Sequence, residues 1–129
     1  MKRKILSKLI EWKNKKNRKP LIVNGARQVG KTYILKEFGS HYYEKMAYVN
    51  CDKNKTLDKI FSQDYNISRI LLSLSAILHV NIEPENTLII FDEIQENPTV
   101  LNSLKYFCED ASQYHVAVAG SLLGISLHR

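Results

Sequence analysis

Apolar positions along the chain recur in two rhythms, and their alternation predicts the fold. Ile5, Leu6, Leu9, Ile10 and Trp12 fall on one helical face, so Lys2–Lys13 reads as a short amphipathic helix. Asn14–Lys19 is a basic linker, and Pro20 opens a short apolar strand, Leu21–Asn24. A helix is predicted from Gly30 to about Phe38, with Gly39 placed as its stop. Met46–Asn50 is a second strand, and Asp52–Phe61 is weakly helical. Ile67, Ile70, Leu71, Leu74, Ile77 and Leu78 keep helical spacing, with Asn66 as N-cap, and form the clearest helix in the chain. Thr87–Phe91 is a continuous run of β-formers, as in a strand buried on both faces. Asn97-Pro98 joins an N-cap residue to a proline at the first helical position and starts a helix reaching about Ala111. His115–Ala119 is the fourth strand, ended by Gly120-Ser121, and Leu122–Arg129 begins another helix. Strands alternating with helices in this way predict an α/β domain with a central parallel sheet.

Composition narrows the class without naming it. Hydrophobic residues make up 44% of the 129 and charged residues 25%, ordinary values that exclude wholesale disorder. The formal net charge of +6 is unevenly placed: the first twenty residues sum to +8 and the remaining 109 to −2. A basic pI therefore does not make the body of the domain a nucleic-acid binder. The two cysteines, Cys51 and Cys108, lack metal or redox spacing and read as reduced thiols. No two of His41, His79, His115 and His128 stand three or four apart, which argues against a histidine metal site. The longest apolar stretch, Ile70–Leu78, is too short to span a bilayer, and no signal peptide is visible, so a soluble cytoplasmic protein with no membrane partner is expected.

The chemistry concentrates in two segments. The first, GARQVGKT, fills every position of G-x-x-x-x-G-K-[ST], and it lies between a strand and a helix as that motif requires. Phosphates crowd several negative charges into a small volume, and main-chain N–H groups at a helix N-terminus can point at them. Gly25 and Gly30 let the loop curl with no Cβ against the phosphates. The Lys31 ammonium is expected to reach the β and γ phosphates, and the Thr32 hydroxyl to ligate Mg²⁺. The nucleotide-contacting stretch is then Gly25, Ala26, Arg27, Gln28, Val29, Gly30, Lys31, Thr32 and Tyr33. Arg27 and Gln28 occupy variable positions and are either solvent-facing or directed at the γ-phosphate or a neighbouring protomer.

The second segment is LIIFDE, Leu88–Glu93. A buried parallel strand delivers its carboxyl-terminal residues to the crevice where open α/β sheets bind ligands. Asp92 would complete the Mg²⁺ site and Glu93 would orient or deprotonate an attacking water. Acids after an apolar strand also occur simply as helix-starting residues, and it is the preceding glycine loop that favours the catalytic role. A glutamate directly after the aspartate suits ATP hydrolysis by water better than transfer to a kinase substrate, as does the extra strand Met46–Asn50 between the two motifs.

With NGARQVGKT (Asn24–Thr32), LIIFDEIQ (Leu88–Gln95) followed by Pro98, and VAVAGSLLG (Val116–Gly124), the chain resembles the AAA-type ATP-binding domain at the N-terminus of a set of poorly characterised prokaryotic ATPases. The resemblance spans nearly the whole chain. It implies a three-layer P-loop NTPase fold of the additional-strand, catalytic-glutamate type, with strand order 5-1-4-3-2. It implies ATP and Mg²⁺ as ligands, with Lys31 and Glu93 among the catalytic residues. It also places Ser121 where such ATPases carry a polar sensor, although a serine there equally caps the next helix. Gln95 follows the acidic pair in the family pattern with no role attached to it.

Relatives continue with a fifth strand, a helical lid and a further domain, and carry an arginine finger beyond the position of Arg129. The expectation is therefore residues 1–19 as a basic helix and linker, and residues 20–129 as an AAA-type core incomplete after its fourth strand. Mg-dependent ATP binding with hydrolysis is the leading function. The alternatives are a nucleotide-binding or interaction module without efficient turnover, and a DNA-coupled ATPase. The basic N-terminus is read in three ways: as a solvated helix packed on the sheet, as a border of the adenine site through Trp12 and Pro20, or as a contact for nucleic-acid phosphates. The resemblance also leaves room for a homo-oligomer.

Overall fold

A computed structural model describes residues 2–24 and 30–121. The element order is α1 (Lys2–Lys13), β1 (Leu21–Asn24), α2 (Lys31–Tyr42), β2 (Lys45–Asn50), α3 (Lys55–Gln63), α4 (Ile67–Leu78), β3 (Thr87–Asp92), a 3-10 turn (Ile94–Glu96), α5 (Pro98–Asp110) and β4 (His115–Gly120). The four strands form one parallel sheet in the order β1-β4-β3-β2. With the fifth strand left aside, this is the order that the resemblance implies.

Helices cover both faces, which is why the central strands read as unbroken apolar runs. Every residue of β3 and β4 is buried. Side chains alternate along each strand, so the sheet feeds two separate cores. Ile89 and Phe91 of β3 join Val116 and Val118 of β4 against α3, α4 and α5. Leu88 and Ile90 join Ala117 and Ala119 against Leu9 and Trp12 of α1 and Leu35 and Phe38 of α2.

Asparagine N-caps start three of the helices. The side chains of Asn54, Asn66 and Asn97 accept from the main-chain N–H of Leu57, Arg69 and Val100 respectively. The expected helix over Asp52–Phe61 thus begins later, at Lys55, because Asn54 captures that turn. The expected stop at Gly39 is overturned: α2 runs on to Tyr42. A Cβ at Gly39 would collide with the Met46 sulfur and stand 3.2 Å from Leu88 Cδ2. That glycine serves close packing of helix on sheet, which outweighs the ~1 kcal/mol it costs inside a helix.

The basic linker is folded back on the domain. Trp12 Nε1 donates to the Lys19 carbonyl at 2.6 Å. Arg18 donates to the carbonyls of Lys13, Lys15 and Ser112, each at 2.9 Å. Trp12 meets His115 edge-on, ring centroids 5.6 Å apart, and His115 pairs in register with Leu88. Trp12 therefore packs at the amino end of the sheet, with Pro20 just before β1. It does not border a site at the carboxyl end, so the adenine reading of Trp12 and Pro20 is set aside.

Candidate functional site

The carboxyl ends of the strands bring Asn24, Gly120, Asp92 and Asn50 into one row, with Asn24 opposite Gly120 and Asn50 opposite Asp92. Asp92 continues the row of Leu88 and Ile90, which face α2, so its carboxylate emerges beside the start of that helix. The helix start is prepared by Gly30, whose φ of 72° and ψ of 24° lie in the left-handed region. A Cβ there would meet nothing within 4 Å, so the backbone turn, not crowding, calls for glycine. No acidic residue occupies the first turn of α2. Its leading N–H groups and its dipole make a seat for an anion.

Thr32, in that first turn, donates its hydroxyl to Asp92 Oδ2 at 2.8 Å, joining positions sixty residues apart in the chain. Tyr48 donates to the same oxygen at 2.6 Å. The Glu93 main-chain N–H donates to Asp92 Oδ1 at 2.9 Å. The Asp92 carbonyl in turn accepts from the Cys51 N–H at 2.8 Å, locking β2 to β3 at this level. Asp92 is only 6% exposed, so three donors compensate a largely desolvated carboxylate.

Neighbouring groups feel that charge. Burial, and then the bond to Asp92, hold the Tyr48 hydroxyl well above the ordinary phenol range, so it remains a donor. Burial and the charges of Asp92 and Glu93 push the Cys51 thiol up to about 12, which keeps it protonated and unreactive. Lys36 places its ammonium 3.9 Å from the centre of the Tyr48 ring.

β3 ends in a sharp turn: Glu93 adopts φ 53° and ψ 46°, the left-handed region that few non-glycine residues visit. Gln95, in the 3-10 turn that follows, donates to Glu93 Oε1 at 2.7 Å and accepts from the Ser121 N–H at 3.1 Å. Among the described residues, no cluster of three or more His, Cys, Asp or Glu side chains is arranged to hold a metal ion. The Thr32 hydroxyl and the Asp92 carboxylate, 2.8 Å apart, are both hard oxygen donors. That set fits Mg²⁺, which takes one or two protein oxygens and fills its octahedron with water and phosphate oxygens.

The family model for an AAA domain matches residues 17–129. The chain belongs to the AAA domain family. No match was found among the curated proteins or the solved structures. Membership carries the coarse function of that family, nucleotide binding of the ATPase type.

In this AAA domain, Thr32, Asp92 and Glu93 converge at the carboxyl end of the sheet, and Gln95 links Glu93 to Ser121. Tyr33 lies on the exposed side of the first turn of α2. Gly25, Ala26, Arg27, Gln28 and Val29 lie outside the described residues, as does the side chain of Lys31. Sequence reasoning does not single out Tyr48 and Gln95 as parts of the site. Tyr48 looks like an ordinary strand aromatic. Only its register opposite Ile90, one pleat before Asp92 on the same face, reveals its role. A cavity of about 820 Å³ runs beside β1 and α5, lined by Leu21, Ile22, Tyr65, Leu101 and Tyr106 among others, and contains none of these site residues. No helix among the described residues is long and apolar enough to cross a membrane.

Proposed function

We propose that this AAA domain binds ATP with Mg²⁺ at the carboxyl end of its sheet and hydrolyses the terminal phosphate with water. The observation that carries the proposal is the Thr32–Asp92 pair, 2.8 Å apart at a helix N-terminus on the strand ends. The main-chain N–H groups of the Gly25–Gly30 stretch would cradle the phosphates, with Arg27 and Gln28 either facing solvent or reaching the γ-phosphate or a neighbouring protomer. Lys31 neutralises the β and γ phosphates, and Thr32 and Asp92 hold the metal. Bound Mg²⁺ would withdraw charge from the phosphate oxygens and help keep attack and departure in line.

Glu93 orients the water and accepts its proton as the new oxygen–phosphorus bond forms. The bond to the β–γ bridging oxygen breaks, and ADP departs with that electron pair. Ser121 would touch the γ-phosphate or the water; its main-chain N–H is joined to Glu93 through the Gln95 side chain, which supports this reading.

Two variants test this. Lys31→Ala should abolish ATP binding: the parent gains about 2.7 kcal/mol of stability at a hundred times Kd, and the variant should gain none. Glu93→Gln should retain that stabilisation and lose turnover by about 10²–10⁴-fold. Hydrolysis by Glu93→Gln at the parent rate would remove Glu93 from the role of base.

A further inference from the structure

The side chain of Gln95 spans two strand ends. Its Nε2 donates to Glu93 Oε1 at 2.7 Å, just beyond β3, and its Oε1 accepts from the Ser121 N–H at 3.1 Å, just beyond β4. The direction of the carboxamide is fixed by chemistry. Rotated by half a turn, it would set its oxygen against a carboxylate and its NH₂ against a main-chain N–H. On the Gln95 side the carboxylate meets a neutral donor.

Gly120 supplies the seat for this amide. A Cβ on Gly120 would strike Gln95 Oε1 and stand 3.1 Å from the Ile94 nitrogen and 3.2 Å from Ile94 Cγ2. Gly120 does not adopt a positive φ, so space, not backbone freedom, demands glycine at the end of β4. The left-handed turn at Glu93 starts the 3-10 turn that carries Gln95 to this seat. Three departures from the bland choice coincide here: a left-handed glutamate, a glycine ending a buried strand, and an amide bonded at both ends.

We infer that Gln95 is a positioning residue that couples the Glu93 carboxylate to the end of β4, so that the base and Ser121 hold one geometry. The inference rests on Glu93 acting as proposed above.

The test uses Gln95→Met, which keeps the length of the side chain and deletes every hydrogen bond of the carboxamide, the longer one to Glu96 included, and Gly120→Ala, whose methyl displaces the amide. Each should lower kcat at least about ten-fold, with the ATP affinity changed less than about two-fold. The double variant should fall no further than the worse single one. In a Glu93→Gln background, Gln95→Met should cost nothing more, because its effect passes through the carboxylate. If Gly120→Ala does not fold, Gln95→Met alone decides. A readout without turnover separates the two proposals: the Gln95 side-chain amide protons, followed by NMR, should exchange with solvent at least about ten-fold more slowly than those of exposed Gln63, and Glu93→Ala should remove much of that protection. Protection in a parent that does not hydrolyse ATP would sink the hydrolysis proposal and uphold the tether. Unprotected amide protons, or a Gln95→Met variant that turns over at the parent kcat, would overturn the tether.

Discussion

One sheet carries a buried polar cluster at each end, and the two are built for opposite purposes. At the carboxyl end, Asp92 gathers Thr32, Tyr48 and the Glu93 N–H beside a helix start. At the amino end, His115 Nδ1 and the Tyr43 hydroxyl lie 2.6 Å apart, with the Trp12 and Tyr43 rings each T-shaped to the imidazole. His115 is 2% exposed, and its Nε2 is buried without a hydrogen-bond partner. The first cluster is built on a carboxylate and lies at the carboxyl ends of the strands. The second is neutral and sealed by α1 and the folded-back linker. Burial, then the nearby positive charges of Arg18 and Lys13, push the His115 pKa down to about 4. Depth alone does not make a polar cluster a site. What sets the carboxyl end apart is a carboxylate acceptor beside a helix start.

The largest expected difference between the two ends is in activity. Asp92→Asn should lower Mg²⁺-dependent turnover about a thousand-fold while leaving a cooperative melting transition. A turnover assay beside a thermal melt checks it, and an Asp92→Asn variant with parent activity would break the contrast.

The next effect belongs to the amino end and is read in pH. His115 binds a proton near pH 6.5 when unfolded but only near pH 4 when folded, so its contribution is whole above 6.5 and is lost as pH falls from 6.5 to 4. Denaturant melts across that window should show a fall of about 3 kcal/mol, absent in His115→Gln. A parent whose stability stays flat there would show that the imidazole is not held neutral.

Tyr48→Phe tests the support of Asp92 and should weaken Mg²⁺ binding about ten-fold, seen as a raised half-saturating concentration with little change in melting temperature. The smallest effect is expected of Tyr43→Phe, about 1 kcal/mol of stability from the lost bond to His115, with turnover unchanged. If Tyr43→Phe instead lowered kcat, the two ends would be coupled.

Much of the fold is legible in the sequence because its signals are local. The helical spacing from Ile67 to Leu78, the N-caps Asn66 and Asn97, and the buried run at Thr87–Phe91 each record a short-range constraint that tertiary packing does not override. Gly39 misleads because glycine stops helices by its backbone freedom, whereas here it serves a contact with Met46 on a different element. The roles of Tyr48 and Gln95 leave no trace in spacing, since each depends on which strand lies beside which.

Covalent order by itself determined the alternation of strands and helices, the glycine loop ahead of α2, and an Asp-Glu pair at the end of an apolar strand. These are patterns of near neighbours, and the 3.6-residue and two-residue periods express them directly. The tertiary structure decided that Thr32 meets Asp92 across sixty residues, that Tyr48 shares the same carboxylate, and that Gln95 joins Glu93 to the end of β4. It also decided that Trp12 packs at the amino end of the sheet, away from the Asp92 cluster. Those meetings follow from parallel register and from the order β1-β4-β3-β2. Side-chain periodicity specifies which face of a strand is buried but not which strand pairs with it.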